Sequence, residues 1–343
     1  MHAQQTPGSR TIVSPFFLFG CTLLTLISIA FILHRLSGLA YHEQPIVLQP
    51  ATQATGTPVT VGLYIDNFDK FNVIAEEFIL NGLLTFEFEE KKVTPEQLNQ
   101  ITFARAKVLH RSEPAISTEH GRTRVHYQVR VQLFEDLDFA WFPFEDHQLS
   151  IMLVDRSMKS DGLLFTTDLK NFTVPETDVK GWHKFNTHTQ TGYLEEHLNA
   201  EVIRYPAAVF SIDYGRYTNI RNIFMILLPM LLLFFIALFS LIIDPRNNFT
   251  FVLTIPVSAI VGLISFRFVV EAMSPKVGYF MYSDYFFVLF LSLVFAILIF
   301  HTFGYSIGSL VRKVMIVLFD LIVILFCFFM VYHIDTVFKA VRG

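Results

Sequence analysis

The chain has 343 residues, of which 52% are hydrophobic and only 16% are charged, whereas a soluble protein carries about 25% charged residues. This balance excludes a protein that is soluble along its whole length. The charges are also unevenly placed, because residues 41–219 hold 25 acidic and 16 basic side chains, a net of −9. The composition therefore predicts a water-facing middle domain between membrane-embedded segments.

The first predicted element is an apolar run at residues 15–33, within an N-terminal segment of residues 1–40. The hydrophobic part of a signal peptide usually spans about 7–15 residues, and a membrane-spanning helix needs about 20. Gly38, Leu39 and Ala40 nevertheless offer a cleavage site of the signal-peptidase type. A cleaved signal peptide and a retained anchor are both open, and each places the following domain outside the cytoplasm.

Residues 41–219 form the second predicted domain. Apolar and polar residues alternate along residues 59–65, 84–88, 125–131 and 209–214, which is the pattern of half-buried strands. Turn residues separate these runs, so we predict an extracytoplasmic all-β sandwich. The sequence has no glycine-rich phosphate loop, metal-spaced His/Cys cluster or nucleophile elbow. We therefore expect no enzymatic activity, no metal or other cofactor and no nucleic-acid partner.

Four apolar runs follow, at residues 220–243, 249–270, 285–303 and 314–332, and they make up the third predicted domain, residues 220–343. Each run is long enough to cross a bilayer as a helix. The short connections make neighbouring helices antiparallel, which predicts a transmembrane four-helix bundle after the sandwich. Arg246, Arg312 and Lys313 in the connections would then lie inside the cell, as the positive-inside rule prefers.

The second of these runs has a polar stripe. At about 100° per residue, one face of the helix carries Thr250, Thr254, Ser258, Val261, Ser265 and Phe268. Hydroxyl groups on an apolar helix cost free energy in lipid unless they meet water or a partner. Either they bond back to carbonyls of their own helix, or several copies of the helix surround a water-filled pore. In a pore, Val261 and Phe268 would form the gate, because a narrow apolar ring excludes water.

Arg267 and Glu271 lie four residues apart beside this stripe. One interpretation is an ion pair that stabilises the helix, and the other is a charged ring near the outer mouth of a pore. The net charge of the middle domain and Glu271 both favour cations in a vestibule. We predict cation conduction, with anion selectivity as the alternative.

The segment at residues 137–145 carries the most specific motif in the chain. It resembles the signature loop of the pentameric ligand-gated ion channels, the Cys-loop receptor family, which has an aromatic residue before Pro-Phe-Asp and another Asp five residues before the proline. Asp138, Phe142, Pro143 and Phe144 match this pattern, and Glu145 replaces the second Asp.

The two half-cystine positions of that loop hold Glu135 and Leu149 instead. Members of the prokaryotic branch usually lack this disulfide, so the resemblance implies that branch and a bacterial inner membrane. Further matches follow in order, with Arg216 before the first membrane helix and Pro275 in the linker after the second. The resemblance covers about residues 59–331.

The resemblance implies a homopentamer around a central pore that passes inorganic ions, with membrane lipid around it. It implies that the matching loop, Arg216 and Pro275 couple agonist binding to opening, with Glu145 and Arg216 as a charge pair. Residues 193–197 resemble the loop that caps the family's ligand site. The implied ligand contacts, placed outside the cytoplasm, are Trp182, Tyr193 and Tyr205.

The agonist is either the proton or a small molecule, and the sequence does not choose between them. A non-conducting membrane sensor of the same fold is the main alternative to a channel. A secondary transporter would need broken helices or internal repeats, and neither is visible in the sequence. A membrane enzyme would need a catalytic constellation, which is also not visible.

Overall fold

A computed structural model describes residues 13–36, 46, 48–50, 56–89, 93–157, 162–176, 179, 181–198, 201–216, 219–303 and 307–342. The chain divides into two compact units. The sheet unit comprises Tyr41–Asp138 and Asp146–Tyr217, and the helical unit comprises Met1–Ala40, Phe139–Glu145 and Thr218–Gly343. The segment Phe139–Glu145 thus belongs to the helical unit, although the chain on both sides of it belongs to the sheet unit.

The elements in chain order are α1 (Pro15–Leu36), β1 (Thr57–Asn72), β2 (Glu77–Glu89), α2 (Pro95–Leu98), β3 (Thr102–Ala104), β4 (Ala106–Arg111), β5 (Ala115–Glu119), β6 (Arg122–Leu133), β7 (His147–Val154), β8 (Leu163–Thr166), β9 (Phe172–Thr173), β10 (Trp182–Leu198), β11 (Glu201–Arg216), α3 (Asn219–Phe239), α4 (Pro245–Met273), α5 (Tyr282–Phe303) and α6 (Ser309–Arg342).

The larger sheet has seven strands. β4, β6, β2, β1 and β8 follow one another across it, with β5 beside β6 and β9 beside β1. β2 is antiparallel to both its neighbours, so that Leu84 lies opposite Leu63 on one side and Tyr127 on the other. β8 and β9 run parallel to β1, where Leu63 lies opposite Phe172. The sheet is therefore mixed.

The smaller sheet has the order β10–β11–β7–β3 and is antiparallel throughout. Burial alternates along β2 and β6 of the larger sheet, because successive side chains of a strand point to opposite faces. The buried face meets the smaller sheet. There the rings of Phe71 and Tyr214 lie 4.9 Å apart, and those of Phe172 and Phe210 lie 5.1 Å apart. Burial in this core raises the pKa of the Tyr214 hydroxyl group.

The helical unit contains α1, α3, α4, α5 and α6, each long and apolar enough to cross a membrane. The protein is therefore a multi-pass membrane protein with five candidate spans among the residues that the structure describes. α4 begins at a defined cap, since the Asp244 carboxylate accepts a bond from Arg246 N at 3.0 Å and Pro245 occupies the first turn. The backbone leaves helical geometry at Asn248 (φ −139°, ψ 41°), and the helix continues through Pro256.

The predicted fold class is wrong in its order and in its sheets. We predicted an all-β sandwich followed by a four-helix bundle. Instead, α1 precedes the strands, the described part of the chain contains five membrane-length helices, and the larger sheet is mixed. A period of two assigns side chains to faces and says nothing about the direction of the partner strand. The composition of α1 suits a signal peptide as well as a packed helix, so the sequence did not place it within the fold.

Candidate functional site

The candidate site is the exposed face of α4. All six residues of the predicted stripe are exposed on the helical unit, with Val261 59% and Phe268 67% accessible. The opposite face is buried within the helical unit, where Val252, Leu263 and Val270 have no accessible surface. The apolar side of α4 therefore packs inward, and the side with hydroxyl groups is left uncovered in the single chain.

Two hydroxyl groups of the stripe bond back to their own helix. Thr254 Oγ1 donates to Thr250 O, and Ser265 Oγ donates to Val261 O, each at 2.8 Å. A hydroxyl group that donates its hydrogen keeps two lone pairs as acceptors. These oxygens therefore present negative partial charge outward, so the back-bonding interpretation and the pore interpretation are compatible.

The C-terminal end of α4 is joined to α5 by an ion pair. Arg267 Nη2 lies 2.6 Å from Asp284 Oδ1, and the guanidinium group also lies 5.8 Å from the centre of the Phe287 ring. Asp284 in turn caps α5, because its Oδ2 accepts a bond from Met281 N at 2.9 Å. Arg267 is thus paired across two helices and not with Glu271, which is exposed and has no ion pair with the residues that the structure describes.

A cavity of about 560 Å³ opens next to this ion pair. Its lining includes both members of the pair, Glu271, Pro275 and Lys276. The cavity contains charges of both signs. Pro275, predicted as a coupling residue, is buried here at the start of the connection between α4 and α5.

The opposite end of the helical unit contains a buried polar cluster. Ser240 Oγ donates to Ala237 O at 2.6 Å and lies 2.7 Å from His301 Nε2. Since the serine hydrogen goes to the carbonyl group, His301 Nε2 is assigned as the donor to Ser240. Arg312 is fully buried, and its Nη1 donates to Leu241 O at 3.4 Å.

The segment Phe139–Glu145 rests on the connection between α4 and α5. Phe139 N donates to Tyr279 Oη at 2.9 Å, and Ala140 O accepts from Tyr282 N at 3.0 Å. The Trp141 and Tyr282 rings stack with their centres 4.8 Å apart. Within the helical unit, this segment therefore forms one surface with the start of α5.

The predicted coupling residues divide between the two units. Phe142, Pro143, Phe144 and Glu145 lie in the segment of the helical unit just described, and Phe142 and Glu145 are buried. Phe142 O also accepts a bond from Ser283 N at 3.1 Å. Asp138 is the last residue of its part of the sheet unit. The side chain of Arg216 lies outside the described residues, so the predicted Glu145–Arg216 pair stays a prediction.

The three predicted ligand contacts are not brought together. Tyr193 lies opposite Pro206 and Tyr205 opposite Leu194, so the two tyrosines point to opposite faces of the sheet. Trp182 lies eleven residues before Tyr193 on β10, about 36 Å away at about 3.3 Å per residue. Instead, Trp182 packs against His147, with 5.4 Å between the ring centres.

The sequence pattern missed several residues of this region. Asp284, His301, Arg312 and Asp320 are buried within or beside the apolar helices. His301 and Asp320 lie inside predicted apolar runs, whereas Asp284 and Arg312 lie just before such runs and inside membrane-length helices of the structure. Ionisable residues within a span generally have a structural or functional role. That signal was present in the sequence, but it does not identify the partner of each side chain. Among the described residues, no group of three or more His, Cys, Asp or Glu could hold a metal ion.

Comparison with known proteins adds no family assignment, because no protein-family model matches the chain and no curated protein matches it.

Proposed function

We propose that the chain is one subunit of a ligand-gated ion channel, that five identical subunits assemble around an axis, and that α4 lines the pore. One observation carries this proposal. The side of α4 with hydroxyl groups is uncovered along its length, whereas the opposite side is packed into the helical unit. Uncovered hydroxyl groups within a membrane favour contact with water or with another subunit over contact with lipid.

Assembly around an axis would give the stripe that contact. The rings of Thr254 and Ser258 would supply oxygen atoms toward the axis, and the rings of Val261 and Phe268 would form apolar constrictions. An ion crosses a polar ring with part of its hydration replaced, but it must lose hydration in a narrow apolar ring. Val261 and Phe268 are therefore the proposed gate.

The proposed permeant ions are inorganic cations. Two features of α4 favour them over anions. The hydrogens of Thr254 and Ser265 are committed to helix carbonyls, so their oxygens offer lone pairs, which suit a cation. In addition, the Arg267 charge is balanced by Asp284, while the Glu271 charge is not balanced by a described residue.

We place the proposed channel in a cell membrane, in bacteria the inner membrane, with residues 41–219 facing the periplasm or exterior. Arg312 and Lys313 at the start of α6 support this orientation through the positive-inside rule. The proposed agonist is the proton or a small molecule that acts on residues 41–219. The separated positions of Trp182, Tyr193 and Tyr205 give no support to a single ligand site made of these three side chains.

A non-conducting sensor is the second candidate, because an uncovered helix face also fits a site for another membrane protein. The two candidates differ in one measurable property, which is current across a bilayer. An anion-selective channel differs from the main proposal only in the sign of the reversal potential in a salt gradient.

Replacement of Val261 by Thr tests the proposal. The substitution exchanges a methyl group for a hydroxyl group at nearly constant size, so a ring at this level would become easier to wet. We expect more resting current, or a lower agonist threshold, than in the unchanged protein. Recordings from reconstituted protein during a screen of pH and small metabolites would measure both.

Val269→Thr is the matched control. It makes the same chemical change at an exposed residue of α4, but about 80° around the helix from Val261. The control should leave resting current and agonist threshold unchanged. If Val261→Thr assembles and behaves like Val269→Thr, then α4 does not form the gate. No current from any reconstituted form would favour the non-conducting sensor.

A further inference from the structure

The N-terminal helix α1 has one buried face. Leu18, Thr25 and Ile29 are buried and Thr22 is partly buried, whereas Phe16 and Phe31 are exposed. The positions 18, 22, 25 and 29 follow the spacing of a packed helix stripe. Small and hydroxylated residues on such a stripe allow two membrane helices to approach closely. The helix therefore has a defined side for packing.

α6 is the helix on which this side packs, and the two helices run in the same direction. Near the start of both, the Lys313 ammonium group lies 5.8 Å from the centre of the Phe17 ring. About two turns further along both, Asp320 of α6 lies beside Cys21 and Thr25 of α1. Successive membrane spans cross in alternating directions. The first and the fifth of the five described spans, α1 and α6, are therefore expected to run in the same direction.

Asp320 is buried at this contact, in the middle of the apolar part of α6. Neither of its carboxyl oxygens has a hydrogen bond from a described residue. The Thr25 hydroxyl group has a single hydrogen, which goes to Cys21 O at 2.9 Å. Asp320 is thus shielded from lipid at least partly by α1, and a carboxyl group exposed to lipid is strongly unfavourable.

We infer that α1 is a permanent fifth membrane-spanning helix of the subunit, held in parallel on α6, and that Asp320 is the positioning residue that fixes where α1 sits. A signal peptide removed after export would leave the Asp320 side of α6 without this cover. The inference concerns the packing of α1 and does not depend on whether α4 conducts ions.

The first experiment determines whether α1 remains in the protein. The full chain is expressed with a tag at the N-terminus, purified from membranes by a second tag at the C-terminus, and its intact mass is measured. We expect the mass of the full chain, with the N-terminal tag still present. A mature chain that begins near residue 40 would overturn the inference.

The second experiment tests the packing. Cysteines replace Phe17 and Lys313 in a full-length chain with Cys21→Ala and Cys327→Ala, and a short bis-maleimide links them. The control pair replaces Phe16 and Lys313, because Phe16 is exposed on another side of α1. We expect the 17/313 pair to link severalfold faster than the control. Equal rates would show that α1 does not sit on α6 in this register.

The third experiment tests Asp320 through the same cross-linking rate. Asp320→Asn keeps the shape and polarity of the side chain and should leave the rate unchanged. Asp320→Lys should slow the 17/313 reaction severalfold, whereas Leu321→Lys, at an exposed neighbour, should not. If the lysine variant does not fold, Asp320→Ala tests the same point through the 17/313 rate, because it removes the polar group without adding bulk. Unchanged rates in Asp320→Ala and in a folded Asp320→Lys would rule out the positioning role.

Discussion

Arg267 shows how one side chain can change the electrostatic interpretation of a whole helix. A spacing of four residues allows an ion pair with Glu271, but the guanidinium group instead lies 2.6 Å from Asp284 of α5. The positive charge of Arg267 is therefore balanced away from the stripe. Glu271 is exposed, and it is the acidic residue of α4 that would contribute a charged ring in an assembly.

Glu271→Gln should therefore lower the preference for cations. A ring of acidic side chains concentrates cations, and the effect is screened by salt. We expect the cation-to-anion permeability ratio, obtained from reversal potentials in a salt gradient, to fall by roughly two- to fivefold at low ionic strength. The matched control Lys276→Gln removes a nearby positive charge and should not lower the ratio. A ratio that stays the same at low salt in Glu271→Gln would exclude this ring from selectivity.

At the scale of elements, the segment Phe139–Glu145 and the start of α5 act as one piece. They are joined by backbone hydrogen bonds and by the stacked rings of Trp141 and Tyr282. If the signature loop transmits agonist binding, as the resemblance implies, it does so through these contacts within the helical unit. The hydroxyl group of Tyr279 is a side-chain acceptor in this surface that can be removed while its ring is kept.

Tyr279→Phe removes the acceptor of the Phe139 N–H group and keeps the aromatic ring. A lost hydrogen bond of this kind costs about 1 kcal/mol, which corresponds to about a fivefold change in an equilibrium constant. We expect the agonist concentration for half-maximal current to change by about that factor, with assembly unchanged. Tyr285→Phe is the control, because the Tyr285 hydroxyl group has no hydrogen bond to a described residue. Equal responses of the two variants would argue against transmission through Tyr279.

The sequence predicts single elements better than their partners. Alternation along residues 125–131 matches the buried face of β6, because a half-buried strand needs that pattern. The parallel pairing of β8 with β1 leaves no such trace, since it depends on the path of a long connection. The three ligand contacts stay a prediction, because a family motif gives positions along β10 and β11 but not the face on which each tyrosine lies.

At the scale of the whole molecule, the sequence predicts which residues of α4 form the stripe and that several of them carry hydroxyl groups. That the stripe is uncovered depends on how the five described helices pack, which the sequence does not specify.

The uncovered stripe is the basis for predicting assembly. Native mass spectrometry in mild detergent should detect five copies of the 39.5 kDa chain. A stable monomer or trimer as the main species would contradict the proposed pentamer.

Polar contacts at the two ends of the helices limit how far the helices of one chain can move relative to one another. Arg267 joins α4 to α5 at one end, and at the other His301 of α5 bonds to Ser240, which follows α3. α5 is thus held to α4 at one end and to the segment after α3 at the other. A helix held near both ends resists sliding along its neighbours and moves together with them. If the chain forms the proposed channel, the helices of one chain should therefore tilt together as one rigid body on opening. Spin-label distances between α4 and α5 of one subunit should stay constant on opening, while distances between α4 helices of different subunits grow. A change in the first distance would indicate sliding instead.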